Sequence, residues 1–215
     1  MLQNIKAAIF DLDGTLIDSL WIWDKIDTDY LINKGLAKPD NLKEEIGHLS
    51  FEQTALYFKN KFNISDSIED IMNEWHSMAV AHYHEDVKLK PGAKDFLLRL
   101  KALNIKIGLA TSNSQELLRA ALEANGVYEL FDSITTTGEV SRGKNFPDVY
   151  LLAADKLGVT PNECVVFEDI LVAVKGAKAA GMKVVGVYDE SSKDDIDQVK
   201  SIANRYIESY LDIVI

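Results

Sequence analysis

The sequence predicts an α/β protein, a parallel sheet covered by helices on both faces and interrupted near its start by an α-helical insertion. Three observations carry this. From residue 91 onward, short apolar runs alternate with helix-length amphipathic runs; a further apolar run occupies residues 5–10; and between residues 18 and 89 no strand pattern convinces. Strands buried on both faces read as continuous apolar runs, and parallel neighbours are joined by a crossover that is usually helical.

Residues 5–10 supply the first strand, and Asp11-Leu12-Asp13-Gly14-Thr15 follows it directly. Where the chain leaves the sheet, Gly14 permits a bend that lets Asp11 and Asp13 converge on one site, and two converging carboxylates need a cation. The plainer reading is a solvated turn after a strand. Amphipathic stretches at 20–34, 51–62 and 67–83 then predict the helices of the insertion. Its hinges are the Asp13-Gly14-Thr15 turn and Lys90-Pro91-Gly92, giving a core of residues 1–17 and 90–215 and a cap of residues 18–89. The core continues with helices at 93–102, 115–125, 147–157 and 172–180 and strands at 105–110, 133–136, 164–167 and 183–187. In such folds the loops at the carboxyl ends of the strands build the binding crevice.

With 215 residues, 47% apolar and 27% charged, the chain is long enough for one good core and a smaller appended domain. No apolar run approaches the roughly 20 residues of a membrane span, and the N-terminus enters a strand too soon for a signal peptide. A cytoplasmic protein is expected, with no membrane partner. The formal net charge of −11 argues against a nucleic-acid partner, because such binding rests on clustered Lys and Arg. Cys164, the single cysteine, lies in the apolar run before Glu168 and reads as a core residue.

Four strand ends in chain order carry polar residues suited to one phosphate site: Asp11 and Asp13, then Thr111-Ser112-Asn113, then Lys144, then Glu168-Asp169. Thr111 precedes a helix, so its hydroxyl and the next backbone N–H groups suit a phosphate oxygen, although residues 112–114 equally suit an ordinary helix cap. Lys144 alone would be a surface lysine. Glu168 and Asp169 repel each other unless a cation or donors compensate, or else they cap the following helix.

Together with Gly143-Lys144-Asn145-Phe146-Pro147-Asp148-Val149-Tyr150 and Ala179-Ala180-Gly181-Met182, these motifs resemble the haloacid dehalogenase superfamily of phosphatases. The resemblance covers essentially the whole chain and points to the subfamily whose helical cap lies between the first and second motifs. It implies a Rossmann-like core and Mg²⁺-dependent hydrolysis of a small phosphorylated metabolite, by analogy a sugar phosphate. It makes Asp11 the nucleophile and Asp13 the acid and base. Thr111, Ser112, Asn113 and Lys144 become phosphate-binding, while Asp11, the Asp13 backbone carbonyl and Asp169 hold the metal with Glu168 close by. The family often has Ser and Gly where this chain has Ile170 and Ala173, and proline where it has Asn145, which bears on loop shape and on support of the site.

The cap of this superfamily selects the leaving group, so specificity is sought between residues 19 and 89. Trp23 and His48 are the candidate substrate contacts, although packing is the first expectation for Trp21 and Trp23. His76, His82 and His84 lack persuasive zinc spacing. Arginine is absent before Arg99, which disfavours bisphosphates. That bears on the rival reading, a mutase like beta-phosphoglucomutase, which has a histidine where this chain has Trp23. Dehalogenases of the superfamily lack an equivalent of Asp13, and a non-catalytic scaffold would not need so costly an acidic cluster. A monomer is expected.

Overall fold

The computed structural model describes residues 4–46 and 49–213. In chain order its elements are β1 (Ala7–Phe10), β2 (Ile17–Asp18), α1 (Ile22–Asn33), α2 (Leu42–Ile46), α3 (Phe51–Lys61), α4 (Ile68–Glu85) and β3 (Lys88–Leu89). They continue as α5 (Ala93–Ala102), β4 (Lys106–Thr111), α6 (Gln115–Ala124), β5 (Ser133–Thr136), α7 (Asp148–Lys156), β6 (Cys164–Glu168), α8 (Leu171–Ala179), β7 (Lys183–Val187), α9 (Ile196–Ile202) and β8 (Arg205–Ile207). Six strands form one sheet in the order β5-β4-β1-β6-β7-β8, all pairs parallel. The chain divides into two compact units, Met1–Leu20 with Val87–Ile215, and Trp21–Asp86.

In the sheet unit, β1 is central, and its alternating side chains feed two cores. Ala7 and Ile9 join Val149, Tyr150, Val166 and Val174 on one face. Phe10 faces the other way, stacked on Phe167 at 4.6 Å and edge-on to Phe96 at 6.1 Å, with Tyr210 closing the cluster. Cys164 lies in the core of Ala7 and Ile9 with its thiol pushed up to about 11 by burial, so it is an inert packing residue. Two features escaped the sequence pattern. β8 adds a sixth strand, and β2 pairs antiparallel with β3, so both connections to the helical unit form one short ribbon.

The helical unit is built on capping and aromatic packing. Ser50 and Ser67 each open a helix with a reciprocal capping box, to Gln53 and Asp70. Trp75 is its fully buried anchor, 4.9 Å from Phe58 and 5.6 Å from Tyr30 between ring centroids. α2 is an additional short helix. No helix among the described residues is long and apolar enough to cross a membrane.

Candidate functional site

β1 delivers Asp11 at its carboxyl end, where the Asp11 amide still bonds to the Phe167 carbonyl at 3.0 Å. The chain then turns through Gly14, whose φ of +76° is left-handed and favours glycine. The turn also needs the space, because a Cβ there would lie 2.5 Å from Asp169 Oδ2. Amides of Leu16 and Ile17 return to the Leu12 carbonyl, which tightens the loop. Asp13 leaves it with both carboxylate oxygens engaged, one accepting from Ser19 Oγ at 2.7 Å and the other from Asn113 Nδ2 at 2.9 Å.

At the end of β4, Thr111 is buried, and its hydroxyl oxygen accepts from the Asn113 amide at 3.0 Å. Ser114, not Thr111, caps α6, so the Thr111 hydroxyl is not spent on the helix. Ser112 is exposed, and Asn113 reaches Asp13.

Lys144 arrives on the loop before α7. A bidentate contact from Arg142 to Asp148, at 3.0 and 2.6 Å, closes that loop. Its backbone packs so closely on α8 that a Cβ at Gly176 would lie 2.0 Å from the Lys144 carbonyl oxygen. The buried Lys144 ammonium donates to Asp11 Oδ1 and, at 2.6 Å, to Glu168 Oε1. Burial opposes its charge, but Asp11 and Glu168 outweigh burial and raise its pKa.

β6 ends in Glu168 and Asp169. Neither caps α8, whose N-cap is Ile170 with no side-chain bond. Glu168 Oε1 also accepts from Tyr150 Oη at 2.8 Å, and Asp169 Oδ1 accepts from Thr15 Oγ1 at 2.9 Å. Their other oxygens, Glu168 Oε2 and Asp169 Oδ2, are buried without a hydrogen-bond partner. Burial, then the Asp11 carboxylate, pushes Glu168 up to about 8 and Asp169 up to about 7. Burial likewise raises Asp11 despite Lys144.

Asp11, Glu168 and Asp169 offer ligand oxygens within 4.8 Å of one another. Once ionised, three buried carboxylates with two bare oxygens and one ammonium would carry surplus negative charge, and hard oxygen donors suit Mg²⁺. The donor set therefore fits a divalent cation.

Of the sequence candidates, Asp11, Lys144, Glu168 and Asp169 form one hydrogen-bonded or carboxylate-clustered group, and Asp13 is tied to Asn113. Trp23 belongs to the helical unit, 39% exposed, with its ring 5.7 Å from Phe51. His48 lies outside the described residues. Thr15, Ser19, Tyr150 and Gly176 entered the site without being singled out from sequence. Thr15 ends the first motif and Ser19 follows it, and the apolar spacing of Val149, Tyr150 and Ala153 marks α7's buried face, but none signals its partner.

A parallel sheet whose strand ends gather a carboxylate triad and a buried lysine, followed after its first strand by a helical insertion, defines a class of hydrolases. The model for haloacid dehalogenase-like hydrolases matches residues 8–187, and the chain belongs to that family, in its helical-cap subfamily. It is 33% identical over 201 residues to hexitol phosphatase A of Escherichia coli, covering 92% of this chain and 89% of that one. It is 29% identical over 184 residues to the phosphorylated carbohydrates phosphatase of Thermotoga maritima, covering 85% of each. Among solved structures, a Thermotoga maritima protein ascribed beta-phosphoglucomutase activity superposes with a TM-score of 0.83 at 27% identity, covering 94% of both chains.

Proposed function

We propose that the protein is a Mg²⁺-dependent phosphomonoester hydrolase acting on a small phosphorylated metabolite, in chemical class a sugar or sugar-alcohol phosphate. The observation that carries this reading is buried Lys144 bonded to both Asp11 and Glu168, beside two bare buried carboxylate oxygens. The substrate class is supported by relatives that act on hexitol phosphates and phosphorylated carbohydrates.

Asp11 attacks phosphorus in line with the leaving oxygen. As the new P–O bond forms the ester P–O bond breaks, and Asp13 passes a proton to the departing alkoxide. Asp13, now ionised, takes a proton from water as the water oxygen attacks the aspartyl-phosphate, releasing phosphate and restoring Asp11. Ser19 and Asn113 hold the Asp13 carboxylate, which fixes the direction of its proton transfer. Lys144 offsets charge on Asp11 and on phosphate oxygens, and Thr111 with the following amides binds phosphate. Asp11, Asp169 and the Asp13 carbonyl, together with Glu168 of the same carboxylate cluster, would hold Mg²⁺, which when bound neutralises the repulsion between Asp11 and a phosphate dianion.

Phosphate release from a panel of sugar phosphates, sugar-alcohol phosphates, nucleotides and phosphorylated acids, with and without Mg²⁺, tests the reading. We expect Mg²⁺-dependent release, greatest for the sugar and sugar-alcohol esters. Asp11→Asn should lower kcat by about a thousandfold or more. Undiminished release by that variant would remove Asp11 as nucleophile. Conversion of a hexose 1-phosphate to its 6-phosphate without net phosphate release would favour a mutase.

A further inference from the structure

Tyr150 is fully buried on α7, among the apolar side chains Val149, Ala153 and Ala154. A phenol there needs a partner for its hydroxyl, and a phenylalanine would satisfy the same packing without one. Its hydroxyl donates to Glu168 Oε1 at 2.8 Å, the oxygen that already accepts from Lys144 at 2.6 Å. Two donors thus share one carboxylate oxygen, while Oε2 of the same group is buried and bare. A carboxylate facing a lone ammonium can turn either oxygen toward it, or share both. A second donor, fixed on a separate helix, removes that freedom.

Resting on the reading of this site as a divalent-cation phosphatase, we propose that Tyr150 is a positioning residue. Its hydroxyl pins Glu168 Oε1 beside Lys144 so that Oε2 stays available to the cation held by the Asp11, Glu168 and Asp169 cluster. The carboxylate is divided, one oxygen for the lysine and one for the metal. Groups that orient a metal site from behind in this way typically influence affinity strongly when removed.

Tyr150→Phe deletes the hydroxyl and keeps the ring. Direct calorimetric titration of the metal-free protein with Mg²⁺ should show binding about tenfold weaker than wild type. At saturating Mg²⁺, kcat should recover most of its loss while the substrate KM moves by less than about twofold, because phosphate binding does not use Oε2. A merely structural tyrosine would lower the melting temperature equally with and without Mg²⁺ and leave Mg²⁺ affinity unchanged; that result overturns the proposal. Glu168→Gln keeps Tyr150 and gives a second arm: it should weaken Mg²⁺ binding whatever the folding of Tyr150→Phe, and an unchanged Mg²⁺ affinity would overturn the role of Oε2. Tyr150→Phe should add little further loss of Mg²⁺ affinity in that background, and fully additive losses would contradict the shared role. If wild type hydrolyses esters and binds Mg²⁺ but Tyr150→Phe matches it, only the positioning role falls. If wild type binds no Mg²⁺ and releases no phosphate, the phosphatase reading falls with it.

Discussion

The two units of the chain treat charge in opposite ways. Among the described residues, every buried charged side chain, Asp11, Lys144, Glu168, Asp169 and Asp189, lies in the sheet unit. In the helical unit the charged groups meet as partly exposed ion pairs, such as Lys34 with Asp66 at 2.6 Å and with Glu74 at 3.0 Å. Its interior is instead aromatic, around Trp75, Tyr30 and Phe58. A protein selected for stability alone would keep carboxylates out of its core, because removing ions from water costs more than pairing usually returns. The sheet unit accepts that cost at the Asp11, Lys144, Glu168 and Asp169 group and at Asp189 after β7, which pairs with Lys90 at 2.9 Å. The helical unit keeps charge out of its interior and caps α3 and α4 by side chains, although Tyr30 Oη and Trp75 Nε1 are buried in it without a hydrogen-bond partner.

The largest effect should come from breaking the aromatic core of the helical unit. Phe58→Ala removes a fully buried ring that touches Tyr30 and Trp75, and it should cost about 3–5 kcal/mol. Because the units have separate cores, calorimetry should then resolve two transitions, with Mg²⁺ raising only the one that belongs to the sheet unit. A single transition raised as a whole by Mg²⁺ would show that the two cores melt together.

A smaller effect should appear with pH and should be larger in the sheet unit, since in the helical unit burial raises Asp27 only to about 6. Asp169 rises from 3.8 to about 7 and Glu168 from 4.5 to about 8 on folding, through burial and then the Asp11 carboxylate. The metal-free folded protein therefore holds protons that the unfolded chain has released. Stability is full below these ordinary values and is lost as pH rises through about 7 to 8. Mg²⁺ needs the ionised carboxylates, so its stabilising effect should grow over the same range. Melting curves at about pH 5.5 and about pH 8.5, in EDTA and in excess Mg²⁺, check both signs. A melting temperature in EDTA that rises with pH would contradict the charge balance described for the site.

The smallest effect should follow Lys34→Ala. This lysine joins two carboxylates, but all three side chains are partly exposed, so urea unfolding should change by less than about 1 kcal/mol. A loss of several kcal/mol would mean that the helical unit also depends on its charges, and the contrast between the units would blur.

Legible in the sequence were the alternation of apolar strands and helices, the helical insertion, and the positions of Asp11, Thr111, Glu168 and Asp169 at strand ends, whereas Lys144, expected at a strand end, lies on the loop before α7. Those features are local: a buried parallel strand is an apolar run, and the polar residue that ends it is its next neighbour in the chain. The three residues of β8 were too few to show a period, and the two-residue strands of the ribbon shorter still. Which groups share a partner emerges from the folded arrangement alone. Thr15 reaches Asp169, Tyr150 joins Lys144 on one oxygen of Glu168, Tyr210 donates to the Thr15 carbonyl, and Gly176 makes room for the Lys144 backbone. A tyrosine on an apolar helix face looks the same in sequence whether or not a carboxylate awaits its hydroxyl. The partner is set by how strands distant in the chain lie side by side, and burial then makes each resulting hydrogen bond, or its absence, consequential.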